Sequence, residues 1–287
     1  MTQLIPVKYR LYTYPSGITP RIQEIAGHLD KTDIHPHLPC FSLHTEYSFG
    51  KRSLNSAQLE PYPELRQRQV NGVPQLWYSA RWAKQFAEFL QTLCGKNVPT
   101  VIEIHPPFGD YTNLTHFFAV YTVFEQAILS AYPDVTLLIE NRCGTHYPGA
   151  GFILSDAADM AAFAEGLQKN GLRLRITWDI PQMFSAMQTN REVMEVHLNQ
   201  LKPVLPYIDG IHLWGKGDNA GRSRVAHCGD LNTYFRRNAA VKEAFLRQLH
   251  ALLNDNRPRY FVPEVNSGQA DLDSIIQDLL RYDFTFV

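Results

Sequence analysis

A chain of 287 residues, 45% of them hydrophobic, has enough apolar material for one large barrel or two ordinary domains. Its 27 basic and 28 acidic side chains leave a formal net charge of −1, which excludes a global basic field for gathering nucleic acid and leaves only a local basic groove open. Cys40, Cys94, Cys143 and Cys228 form no close pair and no C-x-x-C, which argues against a disulfide framework or a structural zinc knot and for a reducing, cytoplasmic setting.

The amino end, M-T-Q-L-I-P-V-K-Y-R, lacks the charged start and long apolar stretch of a signal peptide, and no apolar run has the length of a membrane span. Val7 to Tyr14 alternates apolar and polar residues before Pro15-Ser16-Gly17, which predicts a first strand and a turn. Arg21 to Leu29 has helical spacing, and Cys40 to Leu43 reads as a second strand closed by His44. Residues 50–79 carry no sustained period; a stretch of that kind is a lid or binding loop, or contains an unrecognised helix. Ala80 to Cys94, with Trp82, Phe86, Phe89, Leu90 and Leu93, is an amphipathic helix.

Val101 to Ile104 is a third strand, ending in His105. Helix Leu114 to Tyr132 leads to a strand at Thr136 to Ile139, which ends in Glu140. Helix Asp156 to Lys169 follows, with Ser155 and Asp156 as candidate caps. Arg173 to Trp178 is the fifth strand, ending in Asp179, and helix Arg191 to Leu201 comes next. Asp209 to Leu213 is the sixth strand, with His212 near its end. Arg224 to His227 reads as a short seventh strand, and helix Tyr234 to Leu253 follows it. Arg259 to Pro263 is the eighth, ending in Glu264, and helix Leu272 to Arg281 closes the pattern.

Polar strand ends recur at intervals of roughly 35 residues, the length of one strand plus a crossover helix, and the interval from His212 to Glu264 accommodates two such units. Eight strands alternating with helices imply an α/β fold, a single (β/α)8 TIM barrel over 1–287, with a doubly wound open sheet as the alternative. In a barrel the strand carboxyl ends converge on one mouth, so Glu140, Asp179, His212 and Glu264 meet in a small volume. Such a group does not stay charged and unpaired in a partly dry pocket; a divalent cation resolves the conflict, and mixed O and N ligands suit manganese, magnesium, cobalt or zinc. His44 and His105 are placed to join Glu140 in a second, imidazole-rich position suited to zinc. For Glu140 taken alone, capping the next helix is the plainer role.

The motifs I-E-N at 139–141, W-D-I-P-Q at 178–182, H-L at 212–213, H-C-G-D at 227–230 and P-E at 263–264 resemble, in order, the strand-end motifs of the xylose isomerase-like barrel superfamily. That superfamily contains sugar phosphate isomerases and epimerases, and endonuclease IV. The resemblance implies that Glu140, Asp179, His212 and Glu264 bind one metal, as in ketose 3-epimerases, and that His44 and His105 match histidines binding a further zinc in the endonuclease branch. It also marks departures: Gln182 stands where a His is common, and Val225-Ala226-His227 where the endonuclease branch has Asp-x-His, so a three-zinc site lacks two of its ligands. An Arg after the sixth strand, which such epimerases use on substrate oxygens, has its counterpart in Arg222 or Arg224.

The implied activity is metal-dependent isomerisation or epimerisation of a sugar, sugar phosphate or similar hydroxy-ketone through an enediolate, with Glu140 and Glu264 moving the proton. Gln182, Lys216, His105 and His227 would be polar groups around the substrate, and Trp178, Phe184 and Trp214 would close on its apolar faces. The partner is then a sugar-like small molecule, with nucleic acid less favoured and no membrane; oligomeric state is not legible. Two alternatives stand beside it: an endonuclease IV-like phosphodiesterase, and a metal-binding barrel without turnover. Asn141 reads as a supporting hydrogen-bonding group. Cys143 and Cys228 read as small apolar filling, His116, His197 and His250 as helix packing or surface, and His146 as a residue near enough to the mouth to reach it.

Overall fold

The computed structural model describes every residue except 16, 49–50, 52–53, 55–56, 68, 71 and 145–150. Eight parallel strands form the barrel wall: β1 (Thr2–Lys8), β2 (Ile22–Gly27), β3 (Cys40–Thr45), β4 (Val101–Ile104), β5 (Thr136–Glu140), β6 (Arg175–Asp179), β7 (Ile208–Leu213) and β8 (Pro258–Pro263). They pair in sequence order, and β8 closes the ring on β1 through Gln3↔Pro258 to Pro6↔Phe261. The seam between β1 and β2 is short, Val7 and Lys8 only. A terminal strand, Phe284–Phe286, pairs with the start of β1 where β2 does not reach.

Buried strands such as Thr136–Glu140 are apolar on both faces because one face packs inside the ring and the other under helices. The covering helices begin with Ala80–Cys94, whose apolar stripe buries Trp82, Phe86, Phe89, Leu90 and Leu93, and whose first turn is capped by Ser79 accepting from the Trp82 amide. Leu114–Ala131, Ala157–Asn170, Met194–Gln200, Ala239–Leu253 and Gln269–Arg281 continue the layer. Asp156 caps its helix in a capping box with Asp159.

The fold agrees with the expected barrel, but one of its eight strands is a stretch expected as a helix, and one stretch expected as a strand lies outside the ring. Arg21 to Leu29, expected as a helix, contains β2. A strand buried on both faces loses its period of two, so Ile22, Ile25 and Leu29 fall at helical spacing by accident. Gly27 is required there, because a Cβ would lie 2.8 Å from Leu43 on β3. Arg224 to His227, expected as the seventh strand, belongs instead to a hairpin outside the ring: Lys216–Asn219 pairs antiparallel with Arg222–Ala226 around Ala220 and Gly221, both at positive φ, as a primed turn demands. The expected first strand is shifted toward the amino end, and the helix read from Tyr234 begins at Ala239.

Within 50–79, the described residues include a short helix, Pro63–Gln67, and Leu59, Tyr62, Leu65, Leu76 and Trp77 are buried in the main core. Trp77 sits among Trp82, Phe86, Phe117 and Phe124, and its indole donates to the His105 carbonyl at 2.7 Å. The described part of this stretch is thus anchored to the helix layer. Among the described residues no helix is long and apolar enough to cross a membrane.

Candidate metal centre at the barrel mouth

Alternation along each strand decides which side chains enter the barrel. Ile5, Val7, Ile22, Cys40, Tyr260 and Val262 make an apolar cluster inside the ring, so the residues continuing that parity toward the strand ends point into the mouth. These are Tyr9, Glu24, His44, Glu103, His105, Glu140, Asp179, His212 and Glu264. Gly210 gives room for the layer below: a Cβ there would lie 2.4 Å from the Thr177 hydroxyl, which itself donates to Glu103.

The four residues read from strand ends do come together. One ligand atom from each of Glu140, Asp179, His212 and Glu264 lies within 4.8 Å of all the others. His44 and His105 form a second such group with Glu140 and with Glu103. Glu140 is common to both. His105 Nε2 is 3.0 Å from Glu140 Oε2 and 3.2 Å from His44 Nε2, and its Nδ1 is 3.1 Å from the Glu46 carbonyl. Glu103 connects the groups, with Oε1 3.7 Å from His44 Nε2 and 3.4 Å from His212 Nε2. Glu24 forms further groups with His44 and Glu264 and with Glu103 and His212.

The donor set fits a divalent cation on a specific observation. Glu103 Oε1, Glu264 Oε2, His227 Nδ1 and both His212 ring nitrogens are buried with no hydrogen-bond partner among the described residues. Carboxylate oxygens and imidazole nitrogens buried together with no hydrogen bond made are costly, about 1–3 kcal/mol each, unless a cation sits among them. His212 Nδ1 and His227 Nδ1 stand 3.6 and 3.4 Å from Glu264 Oε2. These separations are longer than hydrogen bonds.

Supporting groups fix the ligands. Asn141 bridges β5 to β6: its amide donates to the Asp179 carbonyl at 3.1 Å and its oxygen accepts from the Asp179 amide at 2.8 Å. Asp179 takes the Trp214 indole N–H at 3.0 Å and caps helix Ile180–Ala186 by accepting from the Gln182 amide at 2.9 Å. Arg142 holds Glu140 Oε1 at 3.0 Å.

Charge regulation in the cluster is strong. Burial works to raise Glu140, but the Arg142 guanidinium and hydrogen bonds from His105 and His44 hold it well below the usual carboxylate range. Burial also opposes ionisation of Glu264, and His212 and His227 outweigh it, bringing the carboxyl down to about 2. Asp179 is pushed well above its ordinary value by burial, Glu140 and Glu264. Glu24 is pushed up to about 7 by burial, with His44 pulling the other way. Burial disfavours the His44 and His212 cations, yet surrounding carboxylates raise His44 to about 9 and His212 well above its normal value. Two imidazolium ions thus supply part of the positive charge that the carboxylates need.

A cavity of about 690 Å³ opens above the cluster. Gln182, Trp214, Lys216, His227 and Glu264, expected at the substrate, line it. Trp214 lies against His227 with ring centres 4.3 Å apart and planes tilted by 33°. Four expectations are corrected. Trp178 is fully buried in the core, because its neighbour Asp179 takes the inward position and alternation turns Trp178 to the helices. Phe184 packs against Phe245 beneath the helix layer. Arg222 and Arg224 lie on the outer hairpin strand and do not line this cavity; the Arg224 guanidinium donates to the Thr233 and Tyr234 carbonyls. Arg142 and Arg10 are the arginines that do line it. None of the described residues of 50–79 lines it, and His146 lies outside the described residues.

Glu24, Glu103 and Arg142 were not anticipated. Glu103 precedes His105 by two residues on one strand, so parity alone places it on the same face; Glu24 was hidden by the helical reading of its segment. Cys228 is buried, as expected of small filling, and the His116 ring lies 3.1 Å from the Tyr78 carbonyl at the surface.

No family model matches the sequence, and no curated protein matches it either. Several solved structures are similar in outline. A D-allulose 3-epimerase from Methylomonas sp. in complex with D-allulose is 12% identical, covers 98% of this chain and 96% of its own, and has a TM-score of 0.46. A D-psicose 3-epimerase with D-tagatose from Clostridium cellulolyticum H10 is 13% identical over 97% and 95% of the two chains, with a TM-score of 0.43. An AP endonuclease, family 2, from Brucella melitensis is 9% identical over 88% and 97%, with a TM-score of 0.45. Likeness this loose assigns no substrate to the chain.

Proposed function

We propose that the chain is a divalent-metal-dependent isomerase or epimerase of a sugar-like hydroxy-ketone. The observation that supports it is the asymmetry of two carboxylates. Glu264 lines the mouth cavity, and its buried Oε2 has no hydrogen-bond partner among the described residues. Glu140 has both oxygens engaged, Oε1 by Arg142 and Oε2 by His105. A cation held by Glu140, Asp179, His212 and Glu264 would polarise a carbonyl and its neighbouring hydroxyl, acidifying the intervening C–H.

Glu264 is then the carboxylate with access to that proton: it takes the proton and, once protonated, is the carboxyl that returns it, while Glu140, held ionised by Arg142 and His105, would serve as a ligand. Gln182, whose oxygen accepts from the Cys143 amide at 3.1 Å, keeps its NH2 group for a substrate oxygen. The Lys216 ammonium, 2.9 Å from the Ser185 hydroxyl, adds a donor at the rim. The Trp214 and His227 rings, in contact with each other, would form one apolar side of the substrate pocket.

The test is solvent-deuterium incorporation into a panel of ketoses and their phosphates, followed by NMR with manganese, magnesium, cobalt and zinc. Exchange at the carbon beside the carbonyl is expected, and Glu264→Gln should slow it by about 10²–10⁴, the range of general acid–base catalysis. No exchange with any substrate and metal would overturn the reading. A second reading, a metal-dependent phosphodiesterase, is favoured by the second group, His44, Glu103 and His105 with the shared Glu140. Chelator-sensitive nicking of an abasic-site duplex would select it; Gln182 and Val225, standing where two further zinc ligands are found in that branch, count against it.

A further inference from the structure

A second cavity, of about 610 Å³, borders the 216–226 hairpin at Lys216 and Arg224 and shares Ser185 and Lys216 with the mouth cavity. Its charge is one-sided. Arg191, Arg224, Arg236 and Lys216 line it, and none of its lining residues is acidic. In a chain of net charge −1, four cations around one cavity are a local concentration rather than a reflection of composition.

None of these four is in an ion pair among the described residues, whereas Arg81 pairs with Glu64 and Arg257 with Asp209. Arg224 is held in place by its bonds to the Thr233 and Tyr234 carbonyls at 3.5 and 3.3 Å, which use two of the five guanidinium N–H donors and leave the rest for a ligand. Its position is further fixed by its amide donating to Asp218 at 3.2 Å. Lys216 sits between the two cavities, bonded to Ser185, and burial together with the nearby Arg224 charge pulls its ammonium pKa below the ordinary value. An anion there would relieve that like-charge crowding.

We infer that this basic cavity seats a phosphate carried by the substrate, whose other end reaches the metal centre past Lys216 and Ser185. Planar guanidinium groups match the oxygens of a phosphate in a way that a single carboxylate would use less fully. The family resemblance offers Arg222 or Arg224 for substrate oxygens; this seat puts Arg224 at the distal end of the same ligand. This rests on the isomerase reading only for what happens at the metal, so the test avoids turnover.

Chelator-treated protein is titrated with inorganic phosphate and, separately, with acetate and a short single-stranded oligonucleotide, by calorimetry. Saturable phosphate binding at one site is expected, unchanged in Glu264→Gln. It should weaken about ten-fold or more in Arg224→Ala and in the double variant Arg191→Ala/Arg236→Ala, because a charge-assisted hydrogen bond to an oxyanion is worth roughly that factor. Circular dichroism checks that each variant is folded, and the double variant leaves the hairpin untouched. No saturable phosphate binding, or binding indifferent to both variants, overturns the inference. Tighter binding of acetate would reassign the cavity to a carboxylate, and tighter binding of the oligonucleotide to a polymer; either result rejects a small phosphorylated substrate. If phosphate binds as expected while no metal supports exchange, the phosphate seat stands and the isomerase reading falls.

Discussion

The overlap of two ligand groups at Glu140 makes metal content and stability respond to single substitutions in an unequal way. A cation binding only the folded state at 100 times its dissociation constant stabilises by about 2.7 kcal/mol, which in a chain of this size corresponds to roughly 4 to 5 °C in Tm. Asp179→Asn alters only the group formed with His212 and Glu264, and an Asn still caps helix Ile180–Ala186, so lost metal is separable from a lost cap. His105→Asn alters only the group containing His44 and Glu103. Glu140→Gln weakens both. Elemental analysis after dialysis, paired with thermal denaturation with and without added manganese or zinc, should show a stabilisation of that size in the wild type. Each of the first two variants should lose one position and Glu140→Gln the whole effect. A Glu140→Gln protein that retains its ions and its full Tm shift would refute the shared-ligand geometry.

Three further outcomes follow from packing and charge. Trp77→Ala should cost about 3–5 kcal/mol in urea denaturation, because it empties an aromatic cluster and removes the donor to the His105 carbonyl; a loss under 1 kcal/mol would show that the cluster collapses freely. Gly27→Ala brings a Cβ to 2.8 Å from Leu43 and should cost about 1–3 kcal/mol by the same assay, with Leu43→Ala relieving part of the clash. Burial opposes ionisation of Asp255, but hydrogen bonds from Arg259 at 2.9 and 2.6 Å hold its pKa below the unfolded value. Its contribution is therefore fully present above the unfolded pKa and lost as pH falls through the folded one. Wild type and Asp255→Asn should converge in stability as pH drops from 5 toward 2, and parallel curves would contradict the assignment.

The parts of the fold and site that the sequence made legible are those where one physical cause acts alone. Ala80–Cys94 is amphipathic and capped, and its bounds are those the periodicity predicts. Strand ends β5 to β8 announce themselves because an apolar run buried on both faces stops at a carboxylate or imidazole, and the barrel then brings Glu140, Asp179, His212 and Glu264 together. Where two causes compete the reading fails. β2 is short, doubly buried and flanked by loops instead of helices, so nothing distinguishes Ile22–Gly27 from a helical turn, and Glu24 goes unseen with it. Trp178 looked like a pocket wall because it adjoins Asp179, whereas adjacency in a strand guarantees the opposite face. The hairpin at 216–226 pairs with itself outside the ring, which local sequence does not reveal.

Charge balance at the mouth bears on how many cations the centre holds. Glu24, Glu103, Glu140, Asp179 and Glu264 bring five carboxylates into linked groups, and among the described residues Arg142 is the one permanent cation hydrogen-bonded to them there. With neutral imidazoles and all five ionised, four negative charges remain, which two divalent cations cancel and one only halves. Without metal the cluster finds the same balance by other means: His44 and His212 take protons, and Glu24 and Asp179 are pushed toward keeping theirs. Each ion entering must displace some of those protons, so its binding weakens as pH falls. Glu103 is the residue whose role this argument changes most. It lies between the His44 and His212 rings with a buried oxygen lacking any hydrogen-bond partner among the described residues, so Glu103→Gln should shift the balance toward a single ion held by Glu140, Asp179, His212 and Glu264. Deuterium exchange surviving that substitution would assign the proton transfer to the single-ion form, and loss of exchange together with one ion would make the second position part of the reaction.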